Sequence, residues 1–251
     1  TISSVDGYVG SENHSEGTAI ISGEGSSWSN SRDLFVAHNN GSIGHLTIED
    51  QASVDARFVQ IGNLAGSTGT VDVTGAGSTL TAREDLNVGW HGNGTLNVLN
   101  GASVSATSSS HQLLIANEFH ATGTALVSGS GSELSTAYRL IVGGAGAGTL
   151  TVQNGGKISA TDQIRIARAA GSTGTLIIGA AANHNAVAAG TIETPTIRFG
   201  NGDGKIVFNA TNTDYVLSSR IIGAGVIEIY NGSLNLTGSD NTYSGGTKGY
   251  G

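Results

Sequence analysis

Gly94-Thr95-Leu96-Asn97-Val98 decides how the rest of the chain is read. A glycine, usually a threonine, then two apolar residues flanking one other: the arrangement occurs earlier as Gly17-Thr18-Ala19-Ile20-Ile21, Gly44-His45-Leu46-Thr47-Ile48 and Gly69-Thr70-Val71-Asp72-Val73. It follows as Gly123-Thr124-Ala125-Leu126-Val127, Gly148-Thr149-Leu150-Thr151-Val152 and Gly174-Thr175-Leu176-Ile177-Ile178. Successive glycines lie 27, 25, 25, 29, 25 and 26 residues apart. A period near 25 residues marks a repeat architecture, in which one unit buries its apolar face only by stacking on its neighbours.

Working outward from the glycine, each unit holds three apolar alternations. The first is the motif pair, Leu96/Val98 and its equivalents. A single apolar position follows about ten residues after the glycine: Trp28, Val54, Leu80, Val104, Leu134, Ile158. A further pair precedes the next glycine: Leu34/Val36, Val59/Ile61, Leu86/Val88, Leu113/Ile115, Leu140/Val142, Ile164/Ile166. Spacing by two puts both members of a pair on one face of a strand. Three short strands per unit, joined by turns, make one coil of an all-β parallel β-helix (β-solenoid). Like positions then stack about 4.8 Å apart, with Leu96 between Val71 and Ala125, and nine or ten coils give a rod about 45 Å long. Trp28 holds a core or end-cap position in this scheme. The glycines are expected at turns, where φ > 0 costs them nothing, joined by Asn-Gly pairs such as Asn100-Gly101.

A second period is superimposed. Alternate coils carry Ser22-Gly23-Glu24-Gly25-Ser26, Thr74-Gly75-Ala76-Gly77-Ser78 and Ser128-Gly129-Ser130-Gly131-Ser132, and the others Asn100-Gly101 or Asn154-Gly155. Residues 1–16 are polar and weakly patterned, the end of a preceding coil or a cap. Residues 17–180 are regular coils. Residues 181–251 are expected to continue the helix less regularly: Ala180–Ala186 reads as a loop or an irregular coil, and strand-like runs resume at Thr196–Phe199, Lys205–Phe208, Tyr215–Leu217, Val226–Ile229 and Leu234–Leu236. The chain opens at Thr1 in mid-pattern, as a segment of something longer would.

Composition narrows the function classes. The 251 residues include 40 Gly, one Pro and no Cys, and the net charge is −8. The glycines lack the every-third spacing of collagen. With 11 Lys+Arg spread thinly, nucleic acid is not an expected partner. No apolar run reaches the ~18–20 residues of a membrane helix. Disulfides are excluded, which suits a chain that crosses an oxidising compartment without cross-linking.

The unit Gly69-Thr70-Val71-Asp72-Val73-Thr74-Gly75-Ala76-Gly77-Ser78, continued through Leu86-Asn87-Val88-Gly89 and Gly94-Thr95-Leu96-Asn97-Val98, resembles a repeat of bacterial autotransporter (type V secretion) passenger domains. The tail Leu236-Thr237-Gly238-Ser239-Asp240-Asn241-Thr242-Tyr243-Ser244-Gly245-Gly246-Thr247 is similar to their passenger-associated repeat. Together the two cover residues 17–247. The resemblance implies a right-handed helix, exported through the outer membrane by a separate translocator barrel and shown at the cell surface or released. It also implies an adhesin or a self-associating module of aggregation, biofilm or virulence. The partners it implies are a host surface or extracellular-matrix component, a glycan, or another copy of the chain.

No catalytic constellation competes with that expectation. Ser128-Gly129-Ser130-Gly131 lies in a repeated turn rather than between strand and helix, as a serine nucleophile motif would. Polysaccharide-cleaving β-helices need clustered carboxylates. The 19 acids here are scattered, and the adjacent pairs Glu49-Asp50 and Glu84-Asp85 fall at different phases of their coils. No catalytic residue, cofactor or metal is assigned, and the chain is not expected to be an enzyme. The turn before each Gly-Thr varies most. There Trp90-His91 and Phe119-His120, in adjacent coils, should project from one edge within about 5–10 Å of each other. They form the candidate interaction patch, against the plainer reading of a variable loop. His91, Glu118 and His120 offer metal-ligand chemistry, a lesser alternative. A passive stalk presenting a distal binding domain is the rival to the adhesin.

Overall fold

The structure is a computed structural model and describes residues 1–250. Its regular elements are all strands, in about nine turns of roughly 26 residues, three strands to the coil. The first face carries the Gly-Thr strands, ten of them from Glu16–Ser22 to Thr247–Gly249. The second has eight, from Ile2–Ser4 to Thr191–Glu193, and the third ten, from Gly7–Val9 to Thr242–Tyr243. Pairing is parallel and in step. Leu96 registers with Val71 on one side and Ala125 on the other, Leu80 with Val54 and Val104, and Leu86 with Val59 and Leu113. Each expected apolar position from Leu34 to Ile166 is fully buried in one continuous core. Trp28 stacks in register between Ile2 and Val54 and is half-buried against that core.

The motif glycine corrects the sequence reading. Gly94 is the second residue of a strand, Asn93–Leu99, and it and its equivalents Gly69, Gly123 and Gly148 are not among the glycines of positive φ. Space is the reason for glycine here. A Cβ on Gly94 would land on the backbone nitrogen of Gly89 and within 2.7 Å of the Ile61 carbonyl oxygen. One on Gly123 would meet the Ala116 nitrogen and the Ile115 side chain at 2.5 and 2.8 Å. The chain passes from the third face to the first through a corner with no room for a side chain.

The turns from first to second face explain the second period. The Ser-Gly-x-Gly-Ser coils use two separated left-handed glycines, as at Gly75 (φ 88°) and Gly77 (φ 87°). The others use two consecutive left-handed residues, as at Asn100 (φ 55°) and Gly101 (φ 88°), or Asp50 (φ 53°) and Gln51 (φ 67°). Both close on the same backbone bond, Ser78 N to Gly75 O and Ala102 N to Leu99 O, each 3.1 Å. Two turn chemistries therefore serve one coil geometry.

Apart from a lengthened connection at 107–111, irregularity lies in the later coils. Residues 180–190 leave the coil and return over the outside of the first face, held by Asn209, whose buried amide donates to the carbonyls of Ala181 and His184 at 2.9 Å each. Phe199 and Phe208 take the interior places of Ile166 and Ile178 one coil on. Gly225 makes room, since a Cβ there would fall on the Phe199 ring. Past Thr191–Glu193 the second face is replaced by a separate pair, Tyr215–Leu217 with Leu234–Leu236. Burial pushes the Tyr215 phenol up to about 12, and its ring packs 5.3 Å from that of Phe208.

The corner argument separates two kinds of glycine. Gly94→Ala should cost about 3 kcal/mol, because backbone must move. Gly171→Ala, at φ 80° with nothing within 4 Å of the added Cβ, should cost only about 1 kcal/mol of backbone strain. Urea denaturation followed by circular dichroism measures both, and equal losses would refute the corner.

Candidate functional site: the turn row over the third face

The turns joining the third face to the first span 10–15, 37–42, 62–67, 89–92, 116–121, 143–146 and 167–172. They then shorten to 200–202, 224–225 and 244–246. Most open on a left-handed residue, for example Ala37 (φ 63°), Gly62 (φ 69°), Gly89 (φ 78°) and Ala116 (φ 57°). That reversal throws the turn outward and lays it on its predecessor: Trp90 N donates to Gly62 O, His91 N to Asn63 O and Glu118 N to Trp90 O, each at 3.0 Å. The turns thus form a stacked row beside the sheet.

The row covers what strand alternation alone would leave in water. Phe35, Asn87, Leu114 and Ile141 point away from the core between inward pairs, yet all are buried. The His38 ring sits 4.3 Å from that of Phe35. Among the described residues, the two buried side-chain atoms without a hydrogen-bond partner, Asn87 Oδ1 and Arg165 Nε, both belong to this outward row.

Trp90, His91, Phe119 and His120 all lie in it, on adjacent turns. Each coil makes its own pair: the Trp90 and His91 rings meet edge-on at 6.0 Å and the Phe119 and His120 rings at 4.1 Å. The aromatic contacts of the described residues include none between the two pairs. Phe119 is 64% exposed, an apolar ring held in solvent, while Trp90 is half-buried. The metal alternative at His91, Glu118 and His120 does not assemble. Among the described residues no three His, Cys, Asp or Glu side chains are grouped to hold an ion, and Glu118 Oε1 instead accepts from Asn117 Nδ2 at 3.0 Å.

A second aromatic group escaped the sequence reading. Tyr8 and Phe35 share a register on the third face, and their rings stack at 5.1 Å, with His38 edge-on to Tyr8 at 5.4 Å. Tyr8 and His38 border a cleft of about 320 Å³ with Ser11, Glu12 and Asn39. The available signal was the aromatic residue between inward positions in two successive coils, Gly7-Tyr8-Val9 and Leu34-Phe35-Val36.

His38 gives this end of the row a pH dependence. Asn63 Nδ2 donates to His38 Nδ1 at 2.9 Å, so the imidazole accepts in its neutral form. Burial holds its pKa below the ordinary value, partly offset by the Glu12 charge. A folded pKa below the unfolded ~6.5 means that the unfolded chain binds the proton first. The stability attached to neutral His38 is therefore present above that pH and lost below it. Acidification from about pH 7.5 to about pH 5.5 should lower the melting midpoint more in the native chain than in His38→Gln. Parallel pH profiles for the two proteins would remove His38 as the cause.

These features define a parallel β-solenoid rod with one elaborated edge. Among known proteins, the chain is 28% identical over 232 residues to the uncharacterized protein YuaQ of Escherichia coli strain K12, across 88% of this chain and 16% of that protein. It is 35% identical over 170 residues to the uncharacterized lipoprotein YdeK of the same strain, across 64% of this chain and 12% of that protein. The chain thus spans less than a fifth of the length of either relative. No protein family and no solved structure matches it.

Proposed function

We propose that this chain is a segment of a surface-displayed passenger and acts as an adhesive or self-associating rod, touching its partner along the turn row. One observation carries the reading: the stacked turns hold an apolar ring in solvent, Phe119 at 64% exposure, with Trp90, His91 and His120 on the same two adjacent turns. The first face shows solvent a ladder of Thr70, Thr95, Thr124, Thr149 and Thr175 beside a mixed column of Thr47, Asp72, Asn97, Leu126 and Thr151, and the second face Thr81, Ser105, Ser135 and Ser159. The outward row of the third face runs through Tyr8, Phe35, Gln60, Asn87, Leu114, Ile141, Arg165 and Arg198; Phe35, Asn87, Leu114 and Ile141 are buried beneath the turns, so it is the turns that meet a partner. Neighbouring rungs repeat for pairing, whereas a contact surface needs diversity and exposed rings such as Phe119.

Other features support export. The lack of Cys suits passage through an oxidising compartment. The lipoprotein name of one relative is in keeping with a place at a membrane surface. We assign no catalytic reaction.

Display of the chain on bacterial cells tests the proposal. Trp90→Ser combined with Phe119→Ser should lower adhesion to matrix-coated surfaces, or cell–cell aggregation, several-fold while the β spectrum stays unchanged. Full adhesion by the double variant would locate binding elsewhere. No adhesion by either protein would make this stretch a spacer.

A further inference from the structure

The arginines of this protein divide sharply along the rod. In the earlier coils each arginine faces a carboxylate: Arg32 with Asp6, Arg57 with Asp33, Arg83 with Asp55 and Arg139 with Asp162. Lys157 and Lys205 are paired too, with Glu133 and Glu193, and with Glu228. None of the ion pairs among the described residues includes Arg165, Arg168, Arg198 or Arg220. In a chain of net charge −8, four arginines without a counter-ion gathered on successive coils are an anomaly that needs a cause.

Their placement follows from the register and the shrinking turns. Arg165 and Arg198 are direct partners on neighbouring strands, so their Cα atoms are about 4.8 Å apart. Arg220 opens the next strand, beside Thr196. Up to residue 172 the outward row lies mostly under six-residue or four-residue turns, but past Arg198 and Ile222 the turns have only three and two residues. With that cover gone, a groove of about 580 Å³ opens, lined by Arg165, Arg198, Arg220, Asn201, Ile222 and Thr242 among others, none of them acidic. Arg168 is engaged elsewhere, donating to Asn117 Oδ1 at 3.1 Å. Arg165 Nε is buried without a partner, and burial together with the charges of Arg198, Arg168 and Arg139 lowers the pKa of its guanidinium.

Like charges held this close are unfavourable until an anion lies between them. Guanidinium forks bind carboxylate and sulfate oxygens in pairs. The groove adds the Asn201 amide and the Thr242 hydroxyl, which suit sugar hydroxyls, and the apolar Ile222, which suits a ring face. A long polyanion such as duplex DNA would meet the negative remainder of the rod.

We infer that the groove formed by Arg165, Arg198 and Arg220 is a binding site for an acidic saccharide, one bearing a carboxylate or sulfate group. This site is distinct from the aromatic turns, and it stands whether or not those turns are adhesive.

Calorimetric titration of the full chain with a heparin-derived hexasaccharide, at low salt, is the test. Saturable binding is expected, weakened about tenfold or more by Arg198→Gln and by Arg220→Gln, both exposed and replaceable without touching the core. Arg198→Lys should recover only part of the affinity, and Arg32→Gln, which removes a paired surface arginine, should leave it unchanged. A uronate oligosaccharide in place of the heparin hexasaccharide distinguishes carboxylate from sulfate as the anion, and binding of either supports the site. The inference is overturned by failure of both sugars to bind, by equal binding of uncharged dextran, by preferred binding of an oligothymidylate, or by equal losses in Arg32→Gln and Arg198→Gln.

Discussion

Everything in this rod depends on one close backbone approach, at the corner where the third face becomes the first. The inward side of Gly94 is filled by the main chain of its own coil at Gly89 and of the preceding coil at Ile61. Gly123 meets Ala116 in its own coil and Val88 in the coil before. Each corner therefore joins two coils through main chain alone, and side-chain repacking cannot relieve it. The apolar columns then add about 1.5–3 kcal/mol for each fully buried Leu, Ile or Val. The half-exposed ion pairs add little beside that.

The same corner makes the turn row. Gly94 lies against the nitrogen of Gly89, so the residues between them form a loop whose two ends touch. A loop closed at its base can lengthen without disturbing the coil, since closure entropy grows only slowly with length. That is why this connection ranges from two to six residues while the first-face strands keep their register from coil to coil. Structural monotony and surface variety thus have one origin. The position of the elaborated edge follows from where the chain has no room for a Cβ.

Most of the fold was legible because its determinants are local and recur. Leu96, Leu80 and Leu86 announce three faces by spacing, and stacking follows from the period. What escaped depends on contacts between residues far apart in sequence. Glycine is favoured both where φ is positive and where a neighbour comes close, so composition cannot tell Gly94 from Gly75; only the approach of Gly89 and Ile61 does. The burial of Leu114 and Ile141 on an outward row required knowing that the following turn folds back over them. That Trp90, His91, Phe119 and His120 fall on adjacent turns of one row is readable from turn phase. The separation of the two ring pairs was not, because ring orientation is set by packing. The Tyr8, Phe35 and His38 group joins residues of two coils and both sides of a turn.

The two ends of the outward row show one device producing opposite results. A six-residue turn at 37–42 brings His38 over Phe35, drying an apolar side chain and leaving its aromatic neighbour Tyr8 in solvent. Turns of two or three residues at 200–202 and 224–225 supply no such cover, so whatever stands on the row stays in water. Had Arg198 stood beneath a long turn, its charge would have needed a buried partner, at a cost of several kcal/mol if left alone. Had Phe35 stood beneath a short turn, its ring would have been bare. Turn length and outward residue are matched at Phe35 and at Arg198, whereas Tyr8 and Arg165 stand before six-residue turns without being fully covered. A substitution of Arg198 is therefore a change to the groove and not to the rod, whereas a substitution of Leu114 alters the packing between the third face and its turn.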